Sequence, residues 1–420
     1  MNLDIFNEME SEVRGYIRSF PVIFKSSKGS IMTDEDGTDY IDFFSGAGTL
    51  NYGHNNDIFK KKILEYVEND GIVHGLDMAT SAKKYFLETF KSHILEPRNL
   101  NYKLQFTGPT GTNAVEAALK IARQVTGRTN VVAFTHAFHG VSAGSLAVTA
   151  NSKFRKAAGY SLSNATFIPY DGYLKDFDSI AYLEKLLNDQ SSGLDKPAAV
   201  IVETIQGEGG VNPASREWLQ ALRALCADHE IILIVDDIQV GCGRTGEFFS
   251  FEDSGIVPDV VTLSKSLSGY GLPMSLVLMK PELDIWKPGA HSGTFRGNNL
   301  AFVAAAEALT QYWKDDAFSQ EIHRKEKRVQ DAFDAMIKQY PALELTRRGR
   351  GMIQGLVSDT HPNIAGAISA EAFKHGLVIE TSGARDEVLK FLPPLVISDA
   401  ELDKGLEVIA MSLAIVAKEA

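Results

Sequence analysis

Apolar residues along this chain follow two alternating patterns. Short runs that are apolar at nearly every position are bounded by turn or polar residues, which indicates strands buried on both faces of a sheet. The longer stretches between them have apolar residues at helical spacing. The predicted strands are residues 130–134, 198–203, 231–235 and 260–263, and the predicted helices include residues 114–126 and 215–228. This alternation predicts an α/β fold with a mostly parallel central sheet.

Polar residues cluster directly after each of these four predicted strands. Parallel sheets bind their ligands at the carboxyl ends of the strands, so these segments are the first candidates for a functional site. They are residues 135–140, 203–210, 236–243 and 264–268.

The last hundred residues have a different pattern. A long charged helix is predicted at residues 320–339, and short strands follow near residues 351–357 and 377–380. Because no long polar linker interrupts the chain, we expect any second domain to pack tightly on the first. The predicted organisation is a large domain at 51–299 and a smaller α/β domain built from both termini, from 1–50 and 300–420.

The composition limits the possible partners. The chain has 420 residues, and its hydrophobic content of 44% and charged content of 23% are those of a soluble globular protein. A net charge of −12 disfavours nucleic acid or an anionic membrane surface as a partner. The acidic N-terminus lacks a signal-peptide pattern. Two cysteines, Cys226 and Cys242, are too few for a disulfide framework. We therefore expect a cytoplasmic protein that acts on small metabolites.

The segment GPTGTNAVEAALKIAR places a Gly- and Thr-containing turn before a helix. Asn113 is predicted as the N-cap of this helix, with Glu116 at the capping-box position. The backbone N–H groups of Gly111 and Thr112, with the Thr112 hydroxyl, can hold a phosphate at the positive end of the helix. An ordinary capped helix has the same pattern, so this segment alone does not decide between the two.

Asp236 follows a predicted buried strand directly, and Gln239 comes three residues later. A carboxylate between apolar walls loses hydration energy unless it meets a cation or a hydrogen-bond donor. A protonated pyridine nitrogen is one such partner, and it makes the ring a better electron acceptor. A helix cap or a metal ligand would also place an Asp-Asp pair at a strand end.

Lys265 follows another predicted strand and is flanked by serines. A lysine at a strand end is usually a solvated surface group, but in a partly dehydrated site its amine becomes a nucleophile toward an aldehyde. Phe138 and His139 follow a further strand, where an aromatic ring can stack on a flat heterocycle or simply belong to the core. Each of these signals is weak alone. Four of them occur at the ends of four predicted strands, in an order that fits one site, and together they favour a single cofactor site.

Together these residues resemble the class III, or ω-amino-acid, aminotransferases of the fold-type I pyridoxal-phosphate enzymes. The resemblance covers nearly the whole chain. Its blocks are GPTGTNAVEAA, AFHG, VETIQGEGG, VDDIQVGCGRTG, LSKSLSGYGLP, HSGTFRGNN and LPPLVI.

The resemblance implies pyridoxal 5′-phosphate as the cofactor and assigns residues to it by position. Gly111 and Thr112 hold the phosphate, Phe138 stacks on the pyridine ring, and His139 lies beside the ring. Glu203, in the VETIQGEGG block, is also assigned to the cofactor site.

The remaining assignments concern the chemistry. Asp236 pairs with the pyridine nitrogen, Gln239 contacts the ring hydroxyl, and Lys265 bonds covalently to the cofactor's aldehyde, acting first as nucleophile and then as general acid and base. Thr294 reaches the phosphate of the neighbouring subunit. The resemblance therefore implies a homodimer, or a dimer of dimers, with shared active sites.

Further blocks are similar to one branch of the family, which acts in ectoine synthesis. They are MESEVRGYIRSFPVIF, FSGAGTLNYGHNN, DGIVHGLD and GPTGTNAVEAALKIAR. This branch moves the amino group of L-glutamate to aspartate 4-semialdehyde, which yields L-2,4-diaminobutyrate and 2-oxoglutarate.

The likeness is incomplete where the substrate carboxylate binds. Many relatives pair a glutamate, here Glu208, with an arginine before the PPL block, but this chain has Lys390 at that position. Lysine lacks the bidentate fork of arginine, so Glu208, Lys390 and Arg296 are all candidate substrate contacts. Arg296 can equally be a surface or interface arginine. Val141 stands where several relatives have a carboxylate-binding arginine.

Three alternatives remain at the level of sequence. One is another ω-aminotransferase, acting on ornithine, 4-aminobutyrate or a diaminobutyrate destined for a siderophore. A second is a pyridoxal-phosphate aminomutase, and a third is a non-catalytic regulator that retains the fold. Asp236, Gln239 and Lys265 argue against the third.

Overall fold

The computed structural model describes residues 3–418, so residues 1–2 and 419–420 of the predicted terminal domain segments lie outside the described residues. Its largest sheet has seven strands. In spatial order they are Lys103–Phe106, Leu276–Met279, Val260–Leu263, Ile232–Asp236, Ala199–Val202, Val131–Phe134 and Ala165–Ile168. Leu276–Met279 runs antiparallel to both of its neighbours, and the other described pairs are parallel. The predicted α/β fold with a mostly parallel sheet is confirmed.

Alternate residues of the central strands point to opposite faces of this sheet. Ile232 and Ile234 pack in the cluster that contains the helix Gly111–Thr126, whereas Leu233 and Val235 belong to the larger core on the other face. Both faces are covered, which explains why the strand sequences are apolar at every position.

Helices surround the sheets and extend to both ends of the described chain. The helix Asn299–Tyr312 packs against Asp57–Glu68 and Ser81–Phe90. Further α-helices include Asp4–Met9, Tyr16–Ser19, Gly111–Thr126, Ala143–Ala147, Ser152–Lys156, Ser179–Asn188, Arg216–Asp228, Ala317–Gln339, Ile364–Lys374 and Asp399–Val416. None of the helices in residues 3–418 is long and apolar enough to cross a membrane.

A second sheet joins the two ends of the chain. Its strands are Phe24–Lys28, Ile31–Asp34, Asp39–Asp42 and Leu377–Val378, and Leu377 pairs in parallel with Ile41. The proposed smaller domain, built from both termini, is in keeping with this pairing, and the domain boundaries stay a prediction.

A third sheet lies in the C-terminal part of the chain. Its strands, in spatial order, are Leu345–Arg350, Ile353–Ser358, Val388–Phe391 and Glu380–Ser382. Glu380 pairs directly with Lys390 in this sheet. A short hairpin, Ile205–Gln206 with Asn212–Pro213, lies within the segment that follows the strand Ala199–Val202.

Arg244 connects distant parts of the chain. Its side chain is fully buried, and Nη1 donates to the carbonyl oxygens of Met352 at 3.1 Å and Pro393 at 2.5 Å. Nη2 donates to Oδ1 of Asn51. A buried guanidinium needs such partners, so Arg244 holds these three segments together.

The four predicted strands and both predicted helices are present, with small shifts of their ends. One local prediction is wrong: Asn113 is not an N-cap, because the helix begins at Gly111 after Thr110 and has no capping bond from a side chain. Cys226 and Cys242 are both free and buried.

Candidate active site

A cavity of about 180 Å³ lies at the carboxyl ends of the central strands. It brings together eight of the residues that the sequence assigned to the cofactor, and Glu208 from the substrate assignments. The lining residues are Gly111, Thr112, Phe138, His139, Gly140, Glu203, Glu208, Asp236, Ile238, Gln239, Val240 and Lys265.

Lys265 is presented to the cavity by the end of the strand Val260–Leu263. Its backbone has a left-handed conformation, with φ of 48°, which is uncommon for a residue with a side chain and is found often at functional sites. Burial lowers the pKa of its amine, and Lys390 adds to this effect, although nearby carboxylates oppose it. A lowered pKa raises the fraction of neutral amine, which is the nucleophilic form.

Asp236 ends the neighbouring parallel strand, with Asp236 in register with Thr262. Its Oδ1 accepts hydrogen bonds from Thr262 Oγ1 at 3.0 Å and from the Ile238 N–H at 3.2 Å. Its Oδ2 lies 2.7 Å from Nδ1 of His139. Asp236 is 4% exposed, and these bonds stabilise its charge in a buried place.

Glu203 follows the strand Ala199–Val202 and lies on the other side of Asp236 in the sheet. Its Oε2 accepts a hydrogen bond from the Phe138 N–H at 3.0 Å, which fixes the loop that presents Phe138 to the cavity. Burial and the charge of Asp236 raise the pKa of Glu203 well above its usual value.

The N-terminus of the helix Gly111–Thr126 forms one end of the cavity. The Thr112 hydroxyl lies 2.8 Å from Ser142 Oγ and 2.5 Å from Ser145 Oγ. A Cβ at Gly140 would lie 2.5 Å from Thr112 Oγ1, so only glycine lets the loop approach this closely. Backbone N–H groups and hydroxyls at a helix N-terminus are typical of a phosphate site.

Glu116 anchors this end of the cavity instead of capping its helix. Its Oε1 accepts hydrogen bonds from Ser142 Oγ at 2.6 Å, the Gly144 N–H at 2.8 Å and the Ser145 N–H at 3.1 Å. The predicted capping-box role is therefore wrong. One carboxylate oxygen holds the loop that carries the hydroxyl partners of Thr112.

Gln239 connects the cavity to Glu208. Its Nε2 donates to Glu208 Oε1 at 2.9 Å and to the Ala47 carbonyl oxygen at 3.0 Å. Residues 45–48 form a left-handed turn, with φ values between 51° and 84°, and Gly48 lies against the Gln239 side chain.

Lys390 is completely buried between two carboxylates. Its Nζ lies 2.6 Å from Glu208 Oε1 and 2.9 Å from Glu380 Oε1. Burial would raise the pKa of Glu208, but Lys390 and Lys265 lower it to about 2. Burial raises the pKa of Glu380 to about 7, with Lys390 opposing the shift. The predicted proximity of Glu208 and Lys390 is thus present, and Glu380 is a third member that the sequence did not indicate.

A second cavity, of about 490 Å³, opens beside the first. Phe138 and Glu208 line both cavities, so they stand between the proposed cofactor position and the outer space. Lys153, Tyr173 and Ser382 are among the residues that line the outer cavity.

Three predicted site residues, Lys390, Thr294 and Arg296, line neither cavity. Thr294 is exposed, and Arg296 donates from Nη1 to the His291 carbonyl oxygen at 3.4 Å. Neither is brought to Lys265 within the chain, so their roles stay predictions that need a second subunit. Val141 is 56% exposed and lines neither cavity.

The sequence also missed Ile238 and Val240, two apolar residues of the cavity wall. Their pattern is that of ordinary core residues, and no local signal separates them from the core. Two buried polar atoms of the wall, His139 Nε2 and Gln239 Oε1, lack hydrogen-bond partners within residues 3–418. Together with the phosphate end and Asp236, these groups fit a flat, nitrogen-containing ring that carries a hydroxyl and a phosphate.

Comparisons with known proteins agree with this geometry. The family described as aminotransferase class III matches residues 14–413. A diaminobutyrate–2-oxoglutarate transaminase of Bordetella parapertussis is 67% identical over 99% of this chain and 95% of its own length. A protein of the same name from Virgibacillus pantothenticus is 55% identical over 99% of this chain and all of its own length.

Solved structures also share the fold. An ornithine aminotransferase from Toxoplasma gondii has a TM-score of 0.85 and 26% identity, over 99% of this chain and 94% of that one. An S-selective transaminase from an Arthrobacter species, with alanine bound, has a TM-score of 0.88 at 23% identity, over 100% and 99% of the two chains. These neighbours confirm the predicted fold type.

Proposed function

The chain belongs to the class III aminotransferase family, and from that premise we propose that it transfers the amino group of L-glutamate to aspartate 4-semialdehyde. The products are L-2,4-diaminobutyrate and 2-oxoglutarate. The cofactor of the enzyme is pyridoxal 5′-phosphate.

The observation that carries the proposal is the placement of Lys265 and Asp236 in one cavity with a phosphate-type helix end. Gly111, Thr112 and the neighbouring hydroxyls would hold the cofactor's phosphate, and Phe138 would lie against its ring. When bound, pyridoxal 5′-phosphate supplies an aldehyde that takes up amino groups and a ring that accepts the electrons of the reacting carbon.

The residues of the chain supply binding and proton transfer. Asp236, oriented by Thr262 and His139, would keep a proton on a ring nitrogen. Lys265 Nζ would be the nucleophile toward that aldehyde, and the same amine would remove a proton from the reacting carbon of the amino donor. Gln239 Oε1 lacks a partner among the described residues and is assigned to the ring hydroxyl.

The choice of substrates is supported by the relatives whose names state diaminobutyrate and 2-oxoglutarate. Making diaminobutyrate from aspartate 4-semialdehyde is the first committed step of the synthesis of ectoine, a compatible solute. We place the enzyme in that pathway, in the cytoplasm, with a role under osmotic stress.

We also assign a homodimer, or a dimer of dimers, with shared active sites. Thr294 and its neighbour Phe295, which is 65% exposed, lie outside the cavity of their own chain. Ile72, Val73 and Met78 form an exposed apolar segment, and Phe295 contacts His74 in the same segment. Such a surface is suited to a subunit interface that brings Thr294 to the partner's phosphate.

The test is a coupled assay of the holoenzyme with L-glutamate and aspartate 4-semialdehyde. We expect equal amounts of 2-oxoglutarate and diaminobutyrate, and lower kcat/KM with glutamate 5-semialdehyde or succinate semialdehyde as acceptor. Absence of turnover with aspartate 4-semialdehyde would refute the proposed substrate. An aminomutase would release no stoichiometric 2-oxoglutarate, and a non-catalytic regulator would show no change of visible absorbance with glutamate.

A further inference from the structure

Beside the cavity, two carboxylates and one cation form a buried group of charges. Glu208 and Glu380 share a single cation, Lys390, which is fully buried and within 2.9 Å of both carboxylates. Glu380 is 7% exposed. Because burial raises the pKa of Glu380 to about 7, this carboxyl is only partly ionised at neutral pH, and the group of Glu208, Glu380 and Lys390 carries a partial excess of negative charge.

Glu208 is the carboxylate that faces open space. Its Oε1 accepts from both Lys390 and Gln239, whereas Oε2 has no hydrogen bond from any residue in the described range 3–418. The side chain is 29% exposed and lines both the inner and the outer cavity. An unpaired carboxylate oxygen therefore lies between the reacting amine of Lys265 and the outer cavity.

A separate observation points to a ligand at the same place. Ser382 is 3% exposed and lines the outer cavity together with Glu208, yet its hydroxyl has no hydrogen-bond partner within residues 3–418. It lies two residues after Glu380 in the strand Glu380–Ser382, so both side chains share one face of that strand. A buried hydroxyl without a partner is unfavourable unless a bound group completes its hydrogen bonding.

We propose that Glu208 and Ser382 form a subsite for the second ammonium group of a substrate that is itself an amino acid. Glu380 is a positioning residue. Its ion pair with Lys390 reduces the extent to which Lys390 neutralises the charge of Glu208. The inference rests on the proposed function and extends it: the subsite would receive the ammonium that diaminobutyrate and aspartate 4-semialdehyde carry away from their reacting end.

The glutamate half of the reaction sets a contrasting requirement. Glutamate reacts through its α-amino group and brings no second ammonium to this place. The negative charge of Glu208 repels the carboxylates of glutamate and offers them no favourable contact. The subsite therefore separates the two half-reactions by charge, and a change at Glu380 is expected to affect them unequally.

The test uses the holoenzyme and follows each half-reaction alone, by the visible absorbance change on mixing with one amino donor. In Glu380→Gln, Lys390 pairs with Glu208 alone and neutralises it. We expect the second-order rate constant for L-2,4-diaminobutyrate to fall at least about tenfold, mainly through weaker substrate binding, and that for L-glutamate to change less than about threefold. Glu380→Asp is expected to restore most of the rate with the diamine.

Two further variants complete the design. Ser382→Ala removes the unpartnered hydroxyl without breaking a bond, and is expected to slow the diamine about threefold and leave glutamate unchanged. Glu371→Gln removes a carboxylate that pairs with Lys374 and His375 and lines neither cavity, and should change neither rate.

Equal losses for both donors, or no loss for the diamine in either Glu380→Gln or Ser382→Ala, would overturn the subsite. L-Ornithine is measured in parallel as a second diamine. If the wild-type enzyme does not react with diaminobutyrate, the proposed function fails, whereas the ornithine-to-glutamate ratio still decides the subsite.

Discussion

The anchoring role of Glu116 leads to a quantitative prediction for cofactor binding. Glu116→Ala removes the acceptor of three hydrogen bonds, from Ser142 Oγ and from the N–H groups of Gly144 and Ser145. At about 1 kcal/mol for each bond, the loop loses up to ~3 kcal/mol. Water can reach the half-buried Glu116 site and recover about half of this, so we expect ~1.5–3 kcal/mol to appear as weaker cofactor binding. This corresponds to a 10- to 150-fold higher dissociation constant.

The assay is titration of pyridoxal 5′-phosphate into the cofactor-free protein, followed by visible absorbance. Glu116→Gln keeps a carbonyl acceptor and should lie within about fivefold of the wild type. Glu184→Ala, an exposed glutamate on the helix Ser179–Asn188, is the matched control and should change nothing. A dissociation constant within threefold of wild type in a folded Glu116→Ala variant would refute the anchoring role.

Three other variants test the site and the core. Lys265→Ala should abolish the absorbance of covalently held cofactor and slow turnover at least about a thousandfold, while Lys280→Ala, which breaks a pair with Asp259 at the sheet edge, should not. Gly405→Ala would place a Cβ 2.1 Å from Phe43 Cζ and should cost ~1–3 kcal/mol of unfolding free energy, whereas Gly366→Ala meets open space and should not destabilise. Burial raises the pKa of the Asp237 carboxyl to about 7. Between about pH 4 and 7 the folded chain therefore keeps a proton that the unfolded chain has lost, so the free energy of unfolding falls as the pH rises through this range. Asp237→Asn should flatten that slope in unfolding experiments at about pH 4 to 7, and parallel slopes for the two proteins would contradict the assignment.

The sequence predicts the cofactor cavity well because two simple rules act together there. Apolar runs locate buried strands, and parallel strands present their carboxyl ends at one edge of a sheet. Asp236, Glu203 and Lys265 each follow such a run, and all three line the cavity. The strands Lys103–Phe106, Ala165–Ile168 and Leu276–Met279 of this sheet were not predicted, and Lys103–Phe106 has apolar residues at only two of its four positions.

The predictions failed where a side chain finds its partner far along the chain. Glu116 stands at a capping-box position, yet its carboxylate is used by a loop about 26 residues later. Glu380 contacts Lys390 because two antiparallel strands pair in one particular register. Register depends on the packing of the whole sheet, so no local pattern in the sequence indicates this contact.

The pairing of Leu377 with Ile41 has a consequence for how the enzyme is made on the ribosome. The strand Asp39–Asp42 emerges early, but its parallel partner Leu377–Val378 is synthesised only when about nine-tenths of the chain is complete. Pairing over such a sequence distance is slow, since the connecting chain must first be ordered. The strand Asp39–Asp42 therefore has an unpaired edge during most of translation. An unpaired strand edge can aggregate or bind chaperones, so we expect both processes mainly before Leu377–Val378 is synthesised.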